Sequence, residues 1–243
     1  IKRLNCPPQG SVYFSWSPDE RFISFTHTTD TGVEIWLLEV KSHRARRLSL
    51  GSVNANLGNP VTWSADSQSL LVTMLPANQS ELIETDTAVP TGPTVSDSDG
   101  AKAQNRTYQD LLKSPADEQN FERLVRSEIY RIDLKGSSKR WLAADLYQDI
   151  EISPDGHYVL VTRIKRPFSY LVPFYRFASQ TDILTQSGEV VKLLLDKPLD
   201  EVRPKGFMAT TKEKRDFHWR ADHAATITWV KALDGGDPAL DVD

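Results

Sequence analysis

Residues 152–162 read ISPDGHYVLVT, a Pro-Asp-Gly turn running into an almost uninterrupted apolar stretch. Pro154 presets φ, Asp155 can bond the backbone ahead and Gly156 accepts positive φ, so the tripeptide marks a strand about to begin. The same spacing returns as WSPDE at Trp16, WSADS at Trp63 and WRADH at Trp219. Aligned on Trp16, Trp63, Ile152 and Trp219, the third residue on is always aspartate: Asp19, Asp66, Asp155 and Asp222. A structural role is expected for all four. Behind the anchors come FISFT, SLLVT, YVLVT and ATITW, apolar on both parities, as in a strand covered on both faces. A second element follows in three units: residues 34–48, 128–142 and 182–194 each read strand, polar turn, strand, with Gly136 and Gly188 where a hairpin needs unusual backbone.

Trp63 follows Trp16 by 47 residues. Meanders of roughly 40 to 50 residues, covered on both faces by their neighbours, are blades of a β-propeller. The expected fold is all-β: a partial β-propeller of about three to four blades, each a four-stranded antiparallel meander, with a helical insertion in the second. Blades are expected at about 11–50, 58–142, 147–196 and 213–243, the last incomplete. An ordinary β-sandwich is the competing architecture, but it does not predict one anchor recurring in register.

The wider gaps between anchors carry insertions. The first, 76–127, opens on a turn-rich polar stretch and then becomes helical: Tyr108, Leu111 and Leu112 share one predicted helix face, and Phe121, Leu124 and Val125 that of a second helix. Ser114, Pro115 and Asp117 fit the N-cap, N1 and N3 positions of the second. The other insertion, RIKRPFSYLVPFYRF (163–177), is aromatic and arginine-rich, and its two prolines keep it out of a central strand.

The chain has 243 residues, 39% of them apolar and 26% charged, which is ordinary for a globular protein. Its longest apolar runs fall far short of a bilayer span, and no charged-then-apolar leader opens it. The first residue is Ile1, so export stays open. A net charge of −4 argues against a nucleic-acid partner, and the basic run Lys41–Arg47 reads as a solvated hairpin turn. One cysteine, Cys6, excludes an internal disulfide and a multi-cysteine metal site. No serine stands in G-x-S-x-G, the five histidines make no H-E-x-x-H, and no glycine-rich phosphate loop occurs. Carboxylates gather at 96–100 and 234–243 without the full ligand pattern of a Ca²⁺ loop. No catalytic residue, metal or cofactor is expected within this chain.

VYFSWSPDERFISFTH, RTYQDLLKSPADEQNFERLVRSEIYRI, ISPDGHYVLVTRIKRPFSYLVPFYRF and WVKALDGGDPALDVD together resemble successive pieces of the N-terminal propeller of glutamyl endopeptidases, serine peptidases of the prolyl oligopeptidase family. The likeness runs in order from about Ser11 to the end. It implies a propeller capping a C-terminal α/β-hydrolase domain of the same polypeptide, which carries a Ser-Asp-His triad and cleaves after glutamate. No position here matches the triad motifs, so the hydrolase domain is expected outside this sequence, and the chain is expected to begin partway round the propeller. The implied role is non-catalytic: gating peptide access and helping bind a peptide substrate. A cation must then meet the glutamate carboxylate, and bidentate arginine suits it best. Arg163, Arg166, Arg176 and Arg106 are the candidates. The alternative is a stand-alone WD-type or TolB-like propeller serving as a protein-interaction module. Sequence beyond Asp243 carrying G-x-S-x-G, then Asp and His, separates the two. Open sheet edges also lead to an expected two-fold homodimer of the isolated chain. Relatives are exported bacterial or plastid proteins, and bacterial export is the expectation.

Overall fold

The computed structural model describes residues 13–49, 52–84 and 108–240. Three four-stranded antiparallel sheets follow one another along the chain, each in strict sequence order, and a two-stranded sheet completes the series. The first holds β1 (Phe14–Trp16), β2 (Phe22–Thr29), β3 (Gly32–Glu39) and β4 (Arg44–Arg47). The second holds β5 (Val61–Trp63), β6 (Ser69–Met74), β7 (Ser127–Asp133) and β8 (Ser138–Asp145), with helix α1 (Pro115–Val125) between β6 and β7. The third holds β9 (Tyr147–Ile152), β10 (Tyr158–Ile164), β11 (Ser179–Thr185) and β12 (Val190–Lys197); β13 (Arg215–Trp219) and β14 (Ile227–Val230) form the last. First strands of successive sheets approach each other, β5 with β9 and β9 with β13. Sequential meanders stacked through their first strands make a partial β-propeller with a helical insertion in the second blade.

The absence of alternation in the repeated apolar runs now has a cause. Leu70 and Val72 point from β6 into a core shared with the first blade, beside Ile35, Leu37 and Trp63. Leu71, between them, points into a core shared with the third blade, beside Ile129, Val159 and Val161. A blade between two blades needs apolar side chains on both parities. ATITW departs from this pattern: Thr226, Thr228 and Trp229 are exposed, because β14 pairs only with β13 and no third strand stands beyond it among the described residues.

Two further expectations are corrected. The Pro-Asp-Gly type of turn does not precede the first strand of a unit; it joins the first strand to the second, since each anchor closes β1, β5, β9 or β13. Three-residue strands such as β1 and β5 are too short to declare a period. Residues 108–113 form no helix. Asp110 takes a left-handed φ of 55°, which an α-helix cannot absorb, and Tyr108 is engaged by Arg176. The second predicted helix is present as α1. Ser114 Oγ accepts from the Asp117 amide at 3.1 Å, while the Asp117 carboxylate turns outward to take the Lys113 amide at 2.8 Å.

The turns themselves repeat bond for bond. Ser17, Ser64 and Ser153 donate from Oγ to Asp19, Asp66 and Asp155 at 2.7, 2.6 and 2.6 Å. Each serine Oγ also accepts the amide that opens the next strand, from Phe22, Ser69 and Tyr158 at 3.0, 2.9 and 3.0 Å. Each aspartate accepts the amide two residues on, at 3.1, 2.9 and 3.0 Å. These bonds favour the carboxylate form: the Ser153 hydroxyl, then the His157 amide, hold Asp155 down at about 2, and Asp19 and Asp66 are lowered for the same reason. In the fourth turn Arg220 replaces serine and forks onto Asp222 at 3.0 and 2.6 Å. The anchors tie blade to blade as well. The Trp63 indole donates to the Ser15 carbonyl at 3.2 Å, and the Trp219 indole to the Glu151 carbonyl at 3.1 Å, in each case the residue before the preceding blade's anchor.

Candidate functional site

Antiparallel order places every anchor turn at one end of the blades and the β2–β3, β6–β7 and β10–β11 connections at the other, together with the links between blades. Both insertions therefore share an end. They pack there on a separate apolar core of Val125, Leu146, Ile164, Phe168, Val172 and Phe177. Phe121 on α1 meets Phe168 edge-on at 5.1 Å and Phe177 edge-on at 5.6 Å, while Phe168 stacks on Phe177 at 5.3 Å. Such offset and edge-on pairs add to simple burial. The last turn of α1 is held from the first interblade link: the buried Asn54 side-chain amide donates to the Leu124 carbonyl at 2.8 Å and to Ser127 Oγ at 2.9 Å. Association of the two insertions escaped the sequence reading, although both carry apolar faces that no blade position uses.

Three of the four predicted arginines occupy this end. Arg163, at the end of β10, donates from Nη1 to the buried Asp182 at 2.7 Å, lies 3.5 Å from Asp145 and covers the Tyr147 ring. Arg166 reaches across to α1, donating to Glu118 at 2.8 Å and Glu122 at 2.7 Å, with its guanidinium 4.6 Å over Phe168. That contact is the chief reason the Glu118 carboxyl is held below its ordinary range. Arg176 is 1% exposed. It donates to the Asp200 carbonyl at 2.7 Å, the Tyr108 hydroxyl at 2.7 Å and the Glu201 carbonyl at 3.3 Å. Arg106 lies outside the described residues. Arg166 and Arg176 thus serve the insertions and Arg163 the blade strands, none of them meets the others at one opening, and each already holds acceptors of this chain.

One opening at this end lies between the third and fourth blades. A cleft of about 400 Å³ is bounded by Asp149 of β9, Thr162 of β10, Thr181 of β11, Lys197 of β12, and Arg203 and Arg215 of the link and β13. Lys197 donates to the Tyr175 carbonyl at 3.0 Å. Burial first, and the nearby Arg203 and Arg176 second, lower its affinity for a proton, against the opposing pull of Asp200. Asp149, an exposed residue at the rim, is raised from its ordinary value by partial desolvation of its carboxyl. Arg203 pairs with Asp200, which Arg176 also approaches at 3.6 Å. Arg215 has its Nε 3.5 Å from Asp216, and its buried Nη1 has no hydrogen-bond partner among the described residues. Sequence reasoning missed Lys197, Arg203 and Arg215. The signal available was a basic residue at each end of the β12–β13 link, a pattern usually belonging to solvated surface. Among the described residues no three His, Cys, Asp or Glu side chains could jointly hold a metal ion, and no helix is long and apolar enough to cross a membrane.

Comparison with known proteins gives two relatives described as probable chloroplastic glutamyl endopeptidases. The one from Oryza sativa subsp. japonica is 31% identical over 97% of this chain, and the one from Arabidopsis thaliana is 31% identical over 97%. The chain spans only 26% and 25% of their respective lengths. No protein-family profile matches. Among solved structures, a TolB candidate from Agrobacterium tumefaciens superposes with a TM-score of 0.50 at 14% identity, over 92% of this chain and 60% of that one. That likeness concerns fold alone.

Proposed function

We propose that this chain, a β-propeller segment of the glutamyl endopeptidase kind within the prolyl oligopeptidase family, is the non-catalytic part of a serine peptidase that admits peptides and turns folded proteins away. The observation that carries the reading is the match itself: nearly the whole chain aligns with about a quarter of each peptidase relative, and the described residues build blades and their insertions. Catalysis would then belong to an α/β-hydrolase domain of the same polypeptide, and the propeller would act by shape. A cavity walled by rigid blades excludes by size, whatever the chemistry of the substrate.

The insertion end is the part suited to meet substrate. It departs from the repeat, carries the cleft and exposes Leu171, Tyr175, Val202 and Phe207. Substrate contact by Arg163, Arg166 or Arg176 would require each to share or exchange its present partners. Arg166 is the most open of the three, with about half its side chain exposed, and is the one to replace first. Self-association of the isolated chain belongs to the same reading. Phe14 and Trp16 are 73% and 50% exposed, whereas Val61 and Trp63, their counterparts in the second blade, are each 7% exposed. A second copy would cover them, and light scattering that shows only monomer at high concentration removes this element.

The test of the main reading uses the full-length peptidase. One cleavable sequence is supplied twice, as a free oligopeptide and displayed on a folded protein large enough to be excluded. Hydrolysis of the free form at least about a hundredfold faster is the expected outcome, a difference near 3 kcal/mol in barrier. Equal rates on the two forms overturn the gating role.

A further inference from the structure

The fourth blade exposes side chains that its counterparts bury. The anchor pairings fix the equivalence: Trp63 opposes Leu70, Ile152 opposes Val159 and Trp219 opposes Ile227. Two residues further on stand Val72, Val161 and Trp229. Leu70, Val72, Val159 and Val161 are each 0% exposed, whereas Trp229 is 49% exposed. In the second and third blades a third strand stands beside these positions, and the turn after it seats on the outer strand of the blade before. Arg46 of β4 donates to the Leu134 carbonyl in the turn after β7, and the Trp141 indole of β8 donates to the Gln186 carbonyl after β11 at 2.9 Å. No such turn meets β12 among the described residues, and Val191 and Leu193 on it are half exposed.

The place of the third strand is instead a groove of about 540 Å³ lined by Ile183, Val191, Leu193, Phe217, Ile227 and Trp229. Along it, β14 pairs with β13 alone among the described residues. An apolar wall beside an unpaired strand edge accepts an extended segment, through backbone bonds on the edge and alternate side chains in the groove. The chain is also in position to supply one. Past Val230 it turns at the insertion end, where the Gly236 carbonyl takes the Thr210 amide of the interblade link at 3.1 Å. From that end β7 and β11 set out. We infer that this groove is a strand-acceptor site, filled by an extended segment of the same polypeptide from beyond Asp243 that runs antiparallel to β14 and lays apolar side chains on Trp229 and Val191. The inference rests on the reading of this chain as part of a longer peptidase, about a quarter of which it spans. It also places the end of the propeller beyond that strand.

The test compares the full-length peptidase with the 243-residue chain, each carrying Val191→Cys, by maleimide labelling read at that residue through peptide mapping. Labelling at least about tenfold slower in the full-length protein is expected, with hydrogen exchange over 227–230 slowed by a similar factor. A third form, extended by about thirty residues past Asp243, is long enough for two strands and their turn and should reproduce both effects. Lys139→Cys, on exposed β8, should label alike in the short and extended forms. Circular dichroism establishes that the extended form is folded; if it is not, exchange over 227–230 in the full-length protein decides. Equal labelling and exchange in the short and full-length forms overturn the inference. Slow labelling while 227–230 still exchange fast overturns it too, by assigning the cover to a packed domain, as does a folded extended form that gains no protection. Labelling of the short form that slows with its concentration assigns the groove to a second copy and likewise overturns it. The gating experiment reads hydrolysis rates, so it can fail with this groove filled and succeed with it open.

Discussion

The two ends of the blades are built on opposite principles. At the turn end three successive units make the same bonds with the same residue types: a buried serine, an aspartate two residues on, and the amides that open the next strand. At the insertion end no two connections agree. One carries α1, another an aromatic detour, and the link to the fourth blade supplies Asp200 and Arg203. Repetition at one end keeps neighbouring blades in one register, tying turn to turn through the Asp19 amide on Ser67 and the Asp155 amide on Ala224. That constraint leaves the other end free to diverge. A rigid scaffold with variable loops at one end is where binding residues are expected to gather.

The sharpest way to break the comparison is to remove an element that both ends depend on. Trp63 is buried between the first two blades and donates to the Ser15 carbonyl. Trp63→Ala should cost roughly 3–5 kcal/mol, read as a fall in the urea midpoint. Arg176→Met comes next. It withdraws a buried donor from the Asp200 and Glu201 carbonyls, while Arg203 still holds the Asp200 carboxylate, and about 3 kcal/mol is expected. Because the insertions pack on a core of their own, hydrogen exchange in this variant should rise over 165–178 while the anchor turns stay protected.

Ser153→Ala probes the turn end and should cost roughly 1–2 kcal/mol, the loss of one hydroxyl that both donates and accepts. It also changes the response to acid. Asp155 is held at about 2 in the folded chain, against about 3.9 unfolded, so its contribution is complete above the unfolded value and is lost as pH falls from about 4 towards 2. The lowered Asp19, Asp66 and Asp222 act in the same direction. Stability should therefore drop through that window, and Ser153→Ala should lose less there than the parent, as followed by urea titrations at stepped pH. The smallest effect belongs to Arg166→Met. Its ion pairs with Glu118 and Glu122 are half exposed, and a change within about 1 kcal/mol is expected.

The turn end was legible in the sequence because its period is written in single residues. The Trp/Ile-x-x-Asp register gave the blades, and apolar residues on both parities of SLLVT gave burial between neighbours. The serine after each anchor stood equally in view at Ser17, Ser64 and Ser153, but only the structure shows it closing the turn. The insertion end resisted reading for a physical reason. Its cleft joins Asp149, Thr162, Lys197 and Arg215, which come from four strands and are brought together only by the stacking of two blades. Local pattern carries no record of such a meeting. Arg166 and Arg176 serve the insertions' own structure and Arg163 ties blade strands together, while Arg215 drew no notice in a short charged run.

Hydrogen exchange of the full-length protein with and without a non-cleavable acidic peptide tests most directly whether the two ends divide structure from function. Added protection confined to 165–178 and 197–216, with the amides of Phe22, Ser69 and Tyr158 unchanged, is the result the account predicts. Protection at the anchor turns, with none at the insertion end, would contradict it.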